Sequence, residues 1–213
     1  MKKKKKKILK IFIIILAVIV VLLAAAYIYM MNPFNIGIYP LITPGGQVEE
    51  EADAGRRLEI TFNYNKQRMI ASSQFAFWIE DMDGKYIETI YVTQWTAKGG
   101  FSYRPHSIPH WVSVAKPGEM SPEEVDAISG ATPRSGDYML IWDFTDRNGN
   151  MVTGTQYRFF IEGTMNNDDT VLYSGIINIG GESWEEYPTP MFSIQDSEYK
   201  NMITNVRVAF FPG

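Results

Sequence analysis

Leu58-Glu59-Ile60-Thr61-Phe62-Asn63-Tyr64 alternates apolar and polar residues without a break. A period of two puts Leu58, Ile60, Phe62 and Tyr64 on one face of a β-strand and Glu59, Thr61 and Asn63 on the other. Residues 74–80 and 85–93 are two further strand-like runs, and Asp81-Met82-Asp83-Gly84 between them carries an Asp-Gly hairpin signal. The design recurs downstream: residues 137–144 and 156–162 flank Asp146-Arg147-Asn148-Gly149, an Asn-Gly turn signal. Residues 170–179 and 203–211 read as closing strands. One helix is predicted over 122–128, with Ser121 as N-cap, Pro122 at the first helical position, Glu124 completing a capping box and Gly130 as the stop. Many short strands with turns between them predict an all-β fold, an immunoglobulin-like antiparallel β-sandwich over 58–213.

Upstream, Ile11 to Met31 is an uncharged apolar run. As a helix it spans roughly 30 Å, the thickness of a bilayer's hydrocarbon core. The expectation is therefore one N-terminal transmembrane helix ahead of the sandwich. The competing reading is a cleaved signal peptide with Ala24-Ala25-Ala26 at its cleavage site. Lys2–Lys7 and Lys10 precede the run, so the positive-inside rule puts a basic tail (residues 1–10) in the cytoplasm and the C-terminal domain outside. Residues 32–57, with Pro33, Pro40, Pro44 and the acids Glu49, Glu50, Glu51 and Asp53, read as a flexible acidic tether.

Subtracting the seven lysines from the 20 basic residues leaves 13 against 24 acidic ones, a net of −11 after residue 31. A domain this acidic repels phosphate backbones, which argues against nucleic acid as a partner. The chain has no cysteine, which excludes disulfides, thiolate metal sites and thiol nucleophiles. His106 and His110 share a stretch with Pro105 and Pro109, and those prolines rule out a regular helix carrying both. A loop packing Trp111 on the sheet is the plainer reading of that stretch than a metal site. The two Gly-containing turns fail the calcium-loop pattern at its first and last positions. The tryptophans Trp78, Trp95, Trp142 and Trp184 read as core rather than as a sugar platform. No Gly-x-Ser-x-Gly elbow is present.

The stretch from Val125 to Gly136 leaves the capped helix and enters a strand through small residues, which allow close approach to the backbone. Within it, Asp126-x-x-Ser129-Gly130-Ala131-Thr132 resembles the target motif of bacterial flavin transferases, which join FMN through its phosphate to the final Thr or Ser. Such motifs occur in the FMN-carrying subunits of sodium-pumping quinone reductases and Rnf-type complexes. The resemblance implies covalent FMN at Thr132, with Asp126, Ser129, Gly130 and Ala131 read by the transferase. It also implies membrane redox proteins as partners, and an electron carrier or accessory protein rather than a stand-alone enzyme. The sequence departs from the usual pattern in following Thr132 with Pro133-Arg134-Ser135.

A longer resemblance, over about 58–179, is to a family of predicted periplasmic proteins (domain of unknown function 2271). It rests on Val125 to Pro133, on Gly136-Asp137-Tyr138-Met139-Leu140-Ile141-Trp142-Asp143, on Gly149-Asn150-Met151-Val152 and on Gly154 to Tyr157. The latter half is also similar to the immunoglobulin-like hairpin of flagellar hook-capping proteins. The family implies a secreted β-sandwich, sometimes encoded near flavin-dependent redox membrane proteins, and no activity of its own. Two functions follow: a membrane-anchored extracytoplasmic flavoprotein of electron transfer, or a non-catalytic immunoglobulin-like binding module of the cell envelope with no cofactor.

Overall fold

The computed structural model describes residues 55–67 and 72–213. The basic tail 1–10, the anchor expected over 11–31 and the tether up to residue 54 lie outside the described residues. Among the described residues no helix is long and apolar enough to cross a membrane. The single-pass placement with a cytoplasmic N-terminus therefore finds no support in the described structure and is not carried forward.

The strands are β1 (Arg57–Tyr64), β2 (Gln74–Glu80), β3 (Tyr86–Thr93), β4 (Ser129–Gly130), β5 (Gly136–Trp142), β6 (Gln156–Asn166), β7 (Asp169–Asn178), β8 (Trp184–Glu186), β9 (Met191–Phe192) and β10 (Ile203–Phe211). They form two open sheets, a four-stranded one in the order β5-β1-β10-β8 and a six-stranded one in the order β4-β3-β2-β6-β7-β9. The alternation of β1 does what its period requires. Leu58, Ile60, Phe62 and Tyr64 are buried, and they share one core with Phe75, Phe77 and Ile79 of β2 and Phe159 and Ile161 of β6. Each such side chain contributes about 1.5–3 kcal/mol by leaving water.

β10 keeps in phase with β1 only through a bulge. Thr61 pairs with Arg207 and Asn63 with Thr204, so Asn205 and Val206 together oppose Phe62. Asn205 takes φ 53°, a left-handed conformation Asn tolerates better than most residues. The extra residue explains why inward positions run Ile203, Val206, Val208 and Phe210 instead of a plain alternation.

The immunoglobulin-like all-β expectation is corrected here: the domain is mixed α/β. Between β3 and β4 the chain forms α1 (Gln94–Ala97), a 3-10 turn (Gly100–Ser102), α2 (Pro109–Ala115), a second 3-10 turn (Pro117–Glu119) and α3 (Pro122–Ile128). This helical layer covers the outer face of the larger sheet, where Ala97, Ile108, Trp111, Ala115 and Val125 pack on Ala76, Trp78 and Val92. All seven residues of β2 are consequently buried, since both faces of the strand are covered. The layer also ends in a parallel pairing, Val92 with Ser129 and Thr93 with Gly130, so the sheet is not purely antiparallel. Parallel neighbours need a long crossover, and residues 94–128 supply it.

Two local expectations also change. Residues 137–144 and 156–162 are not a hairpin, because β5 lies in one sheet and β6 in the other. The Asp146–Gly149 turn forms all the same, with Asp146 Oδ1 accepting from the amides of Asn148 and Asn150, but it sits in the passage between sheets. The Pro-rich stretch does hold a helix: Pro109 occupies the first turn of α2, where its missing N–H is no loss. Helix α3 has the predicted capping box, with Ser121 Oγ accepting from Glu124 N and Glu124 Oε2 from Ser121 N.

Candidate functional site

The loop that resembles a flavin-transferase target leaves α3 through β4 and enters β5. Ser129 is buried as part of the parallel pairing, and its Oγ meets no hydrogen-bond partner among the described residues. Gly130 lies under the Tyr91 ring, where a Cβ would stand 2.8 Å from Tyr91 Cε2. Tyr91 OH donates to the Ala131 carbonyl at 2.8 Å, and Tyr138 OH donates to the Arg134 carbonyl at 2.7 Å. Asp126 is held by Lys98 on the neighbouring helix end at 2.7 Å. Ala131 is exposed and Thr132 half-buried. Within this motif Ser129, Gly130, Ala131 and Asp126 thus serve strand pairing, close packing, loop anchoring and an ion pair.

Beside Asp126 opens a cleft of about 390 Å³ between α1, the turn that follows it, and α3. Its walls are mainly apolar, from Ala97, Phe101, Pro117, Met120, Pro122 and Val125, and the Lys98–Asp126 pair marks its polar side. Trp95 lies close by. Its indole rests against Gly100, where a Cβ would stand 2.5 Å from the ring, and it stays 45% exposed. Gly99 and Phe101, on either side of Gly100, line the cleft. Tyr103, at the end of the same turn, is 90% exposed. Trp78 and Trp142 are buried as the sequence suggests; Trp95 is the exception, and the Gly99-Gly100 pair after it is the signal that could have revealed it.

The helical layer is fastened by buried polar groups on the sheet. Glu162 of β6 is fully buried and accepts from the backbone N–H of His110 (3.2 Å) and of Trp111 (3.0 Å) at the start of α2. His110 Nδ1 lies 3.0 Å from the same carboxylate. Thr164 Oγ1 accepts from Ile108 N and donates to the His106 carbonyl. This pair holds Ile108 at φ 44°, an uncommon conformation for a β-branched residue. Gln74 Oε1 accepts from Thr96 Oγ1, which meets Ser107 Oγ at 2.6 Å, and Trp111 Nε1 donates to Thr89 Oγ1. The hydrogen bond to Glu162 raises the His110 pKa above the usual histidine value, against an opposing effect of burial. The His110 ring thus fastens α2 to the sheet, whereas His106 contributes its backbone carbonyl, and among the described residues no group of three or more His, Cys, Asp or Glu could hold a metal.

Sequence reasoning passed over Glu88. It lines a crevice of about 100 Å³ between β3 and α3, and burial pushes its carboxyl up to about 7. The Thr89 amide and Arg147 act in the opposite direction, and Asp146 and Asp143 add to the rise. Nothing in the alternation of β3 distinguishes Glu88 from an ordinary solvated strand residue, so the signal is absent from the sequence.

Fold and clefts together define a double-sheet domain with a helical cap that carries the apolar cleft and the exposed Trp95 and Tyr103. The chain belongs to the family described as "Predicted periplasmic protein (DUF2271)", whose model matches residues 55–188. None of the curated proteins matches the chain, and no solved structure does. The family resemblance drawn from the sequence thus holds, whereas no flavin-transferase target is evidenced in that match. The reading as a membrane-anchored flavoprotein is corrected. Among the described residues no helix is long and apolar enough to serve as an anchor and no group of three or more His, Cys, Asp or Glu could hold a metal, while Gly130 packs under Tyr91 and the Ala131 carbonyl is held by Tyr91 OH.

Proposed function

We propose that this chain is a non-catalytic recognition module of the cell envelope that works without a resident cofactor. The apolar cleft beside the preset Trp95 indole carries the reading. Concave apolar recesses with a few polar groups at the side are where ligands and partner side chains seat, and exposed aromatics dominate binding energy at such places. The family description supports an extracytoplasmic setting.

The test is a photo-crosslinking amino acid placed in turn at Tyr103, two residues after the cleft-lining Phe101, and at Ile176 on β7, both exposed. A discrete adduct is expected from position 103 in intact cells and none from 176. Adding Trp95→Ala should weaken it about tenfold. Equal adducts at both positions, or none at either, would overturn the reading. The intact mass of the exported protein is expected to be that of the unmodified chain. A gain of one FMN less water, mapped to Thr132, would replace the cofactor-free reading with a flavin carrier.

A further inference from the structure

The crevice above Glu88 is distinct from the Trp95 cleft. It is walled by Tyr86, Met120, Ala127 and Ile128, with Glu88, Glu124 and Arg147 as its charged groups. Tyr86, Met120 and Arg147 also wall a wider recess of about 360 Å³, so the two adjoin. That outer recess adds Val114 and Ala115 as apolar surface and Lys85, Lys116 and Glu119 as charges.

The charges along this path are ordered. Arg147 and Glu124 pair with one another. That leaves Glu88, half-buried, as the carboxyl of this crevice outside that pair; it accepts one hydrogen bond, from Thr89 N, and has no ion-pair partner among the described residues. In the adjoining recess the exposed Lys85 and Lys116 outnumber Glu119. The two recesses share Tyr86, Met120 and Arg147 as walls. A half-buried acid in one recess and exposed lysines in the next, joined by the Tyr86 ring, Met120 and the Glu124-paired Arg147, complement a molecule with a cation at one end, carbon in the middle and an anion at the other.

We infer that this crevice binds a small amino-carboxylate, a molecule whose ammonium group reaches Glu88 and whose carboxylate stays at Lys85 and Lys116. The Tyr86 face adds a cation–π contact to the ammonium. The inference is independent of the recognition cleft, and either can fail without the other. Binding an ammonium favours the ionised Glu88, so affinity falls as the pH drops from 8 to 5.5. The other charged and titratable groups facing Glu88 are Tyr86, Glu124, Asp143, Asp146 and Arg147, and those on the outer recess are Lys85, Lys116 and Glu119.

The experiment is isothermal titration of the full chain with 5-aminovalerate, and separately with pentylamine and pentanoate, at pH 8 and pH 5.5. The zwitterion should bind at pH 8 at least about tenfold more tightly than either single-charge analogue. Glu88→Gln should lose about tenfold for aminovalerate and pentylamine, leave pentanoate unchanged and abolish the pH dependence. Lys116→Ala should weaken aminovalerate and pentanoate but not pentylamine. Glu88→Gln removes a desolvated acid, so its folding is not at stake, and a cooperative thermal melt will show that. No heat with any of the three probes on a folded chain overturns the inference. So does zwitterion binding that Glu88→Gln leaves intact.

Discussion

At the scale of single residues, Gly130 has a packing role inside the loop after α3. A methyl group there would press on a Tyr91 ring that is itself 1% exposed and cannot swing away. Gly130→Ala should cost about 1–3 kcal/mol, the range for overpacking a filled site, and a thermal melt will show it. Tyr91→Phe should cost about 1 kcal/mol through the lost bond to Ala131. Glu88 gives a prediction of opposite sign. Its folded carboxyl titrates at about 7, above the ordinary value of 4.5. Below 4.5 it is protonated in both the folded and unfolded chain and has no effect. As pH rises toward 7 the unfolded chain ionises first, so stability falls. Glu88→Gln should therefore be the more stable protein at pH 7.5 and equal to the parent at pH 4, in urea melts at the two values.

At the scale of elements, the helical layer depends on Glu162. Replacing it with Ala strips the acceptor from two backbone amides at the start of α2 and opens a void under them. The expected loss is about 3 kcal/mol or more, with faster hydrogen exchange across 94–128 than in β1 and β10. His110 reports the same contact. Its folded pKa is raised, so its contribution to stability is complete below pH 6.5 and disappears as pH climbs through the raised value. An NMR titration should find His110 above the ordinary histidine value in the parent chain and lowered toward it in Glu162→Gln. Most of these elements were legible in the sequence. The strict alternation of Leu58–Tyr64 and the capping box at Ser121 are local signals, and both elements formed where expected. The sheet partner of β5 was not legible, because an Asn-Gly turn specifies a bend and not which strands it joins. Nor was the covered outer face of β2: Gln74 and Glu80 look solvent-facing in a strand and are in fact buried beneath helices. The Glu88 crevice escaped for the same reason, since it exists only where α3 crosses β3.

For the molecule as a whole, the family match and the folding unit differ in extent. The match stops at residue 188, yet β10 lies in the middle of the smaller sheet, between β1 and β8. A chain ending at residue 188 loses that strand with Ile203, Val206, Val208 and Phe210, all core residues. It should show no cooperative melt, while residues 55–213 should melt as one transition by circular dichroism. The cap has the opposite property. It departs from Thr93 and comes back to lie beside that same residue at Gly130. Its two ends are therefore neighbours, and the length between them can change without moving any strand out of register. Lineages that share this scaffold can exchange or enlarge the cap as a self-contained insert, so binding preference can diverge while the double sheet beneath stays the same.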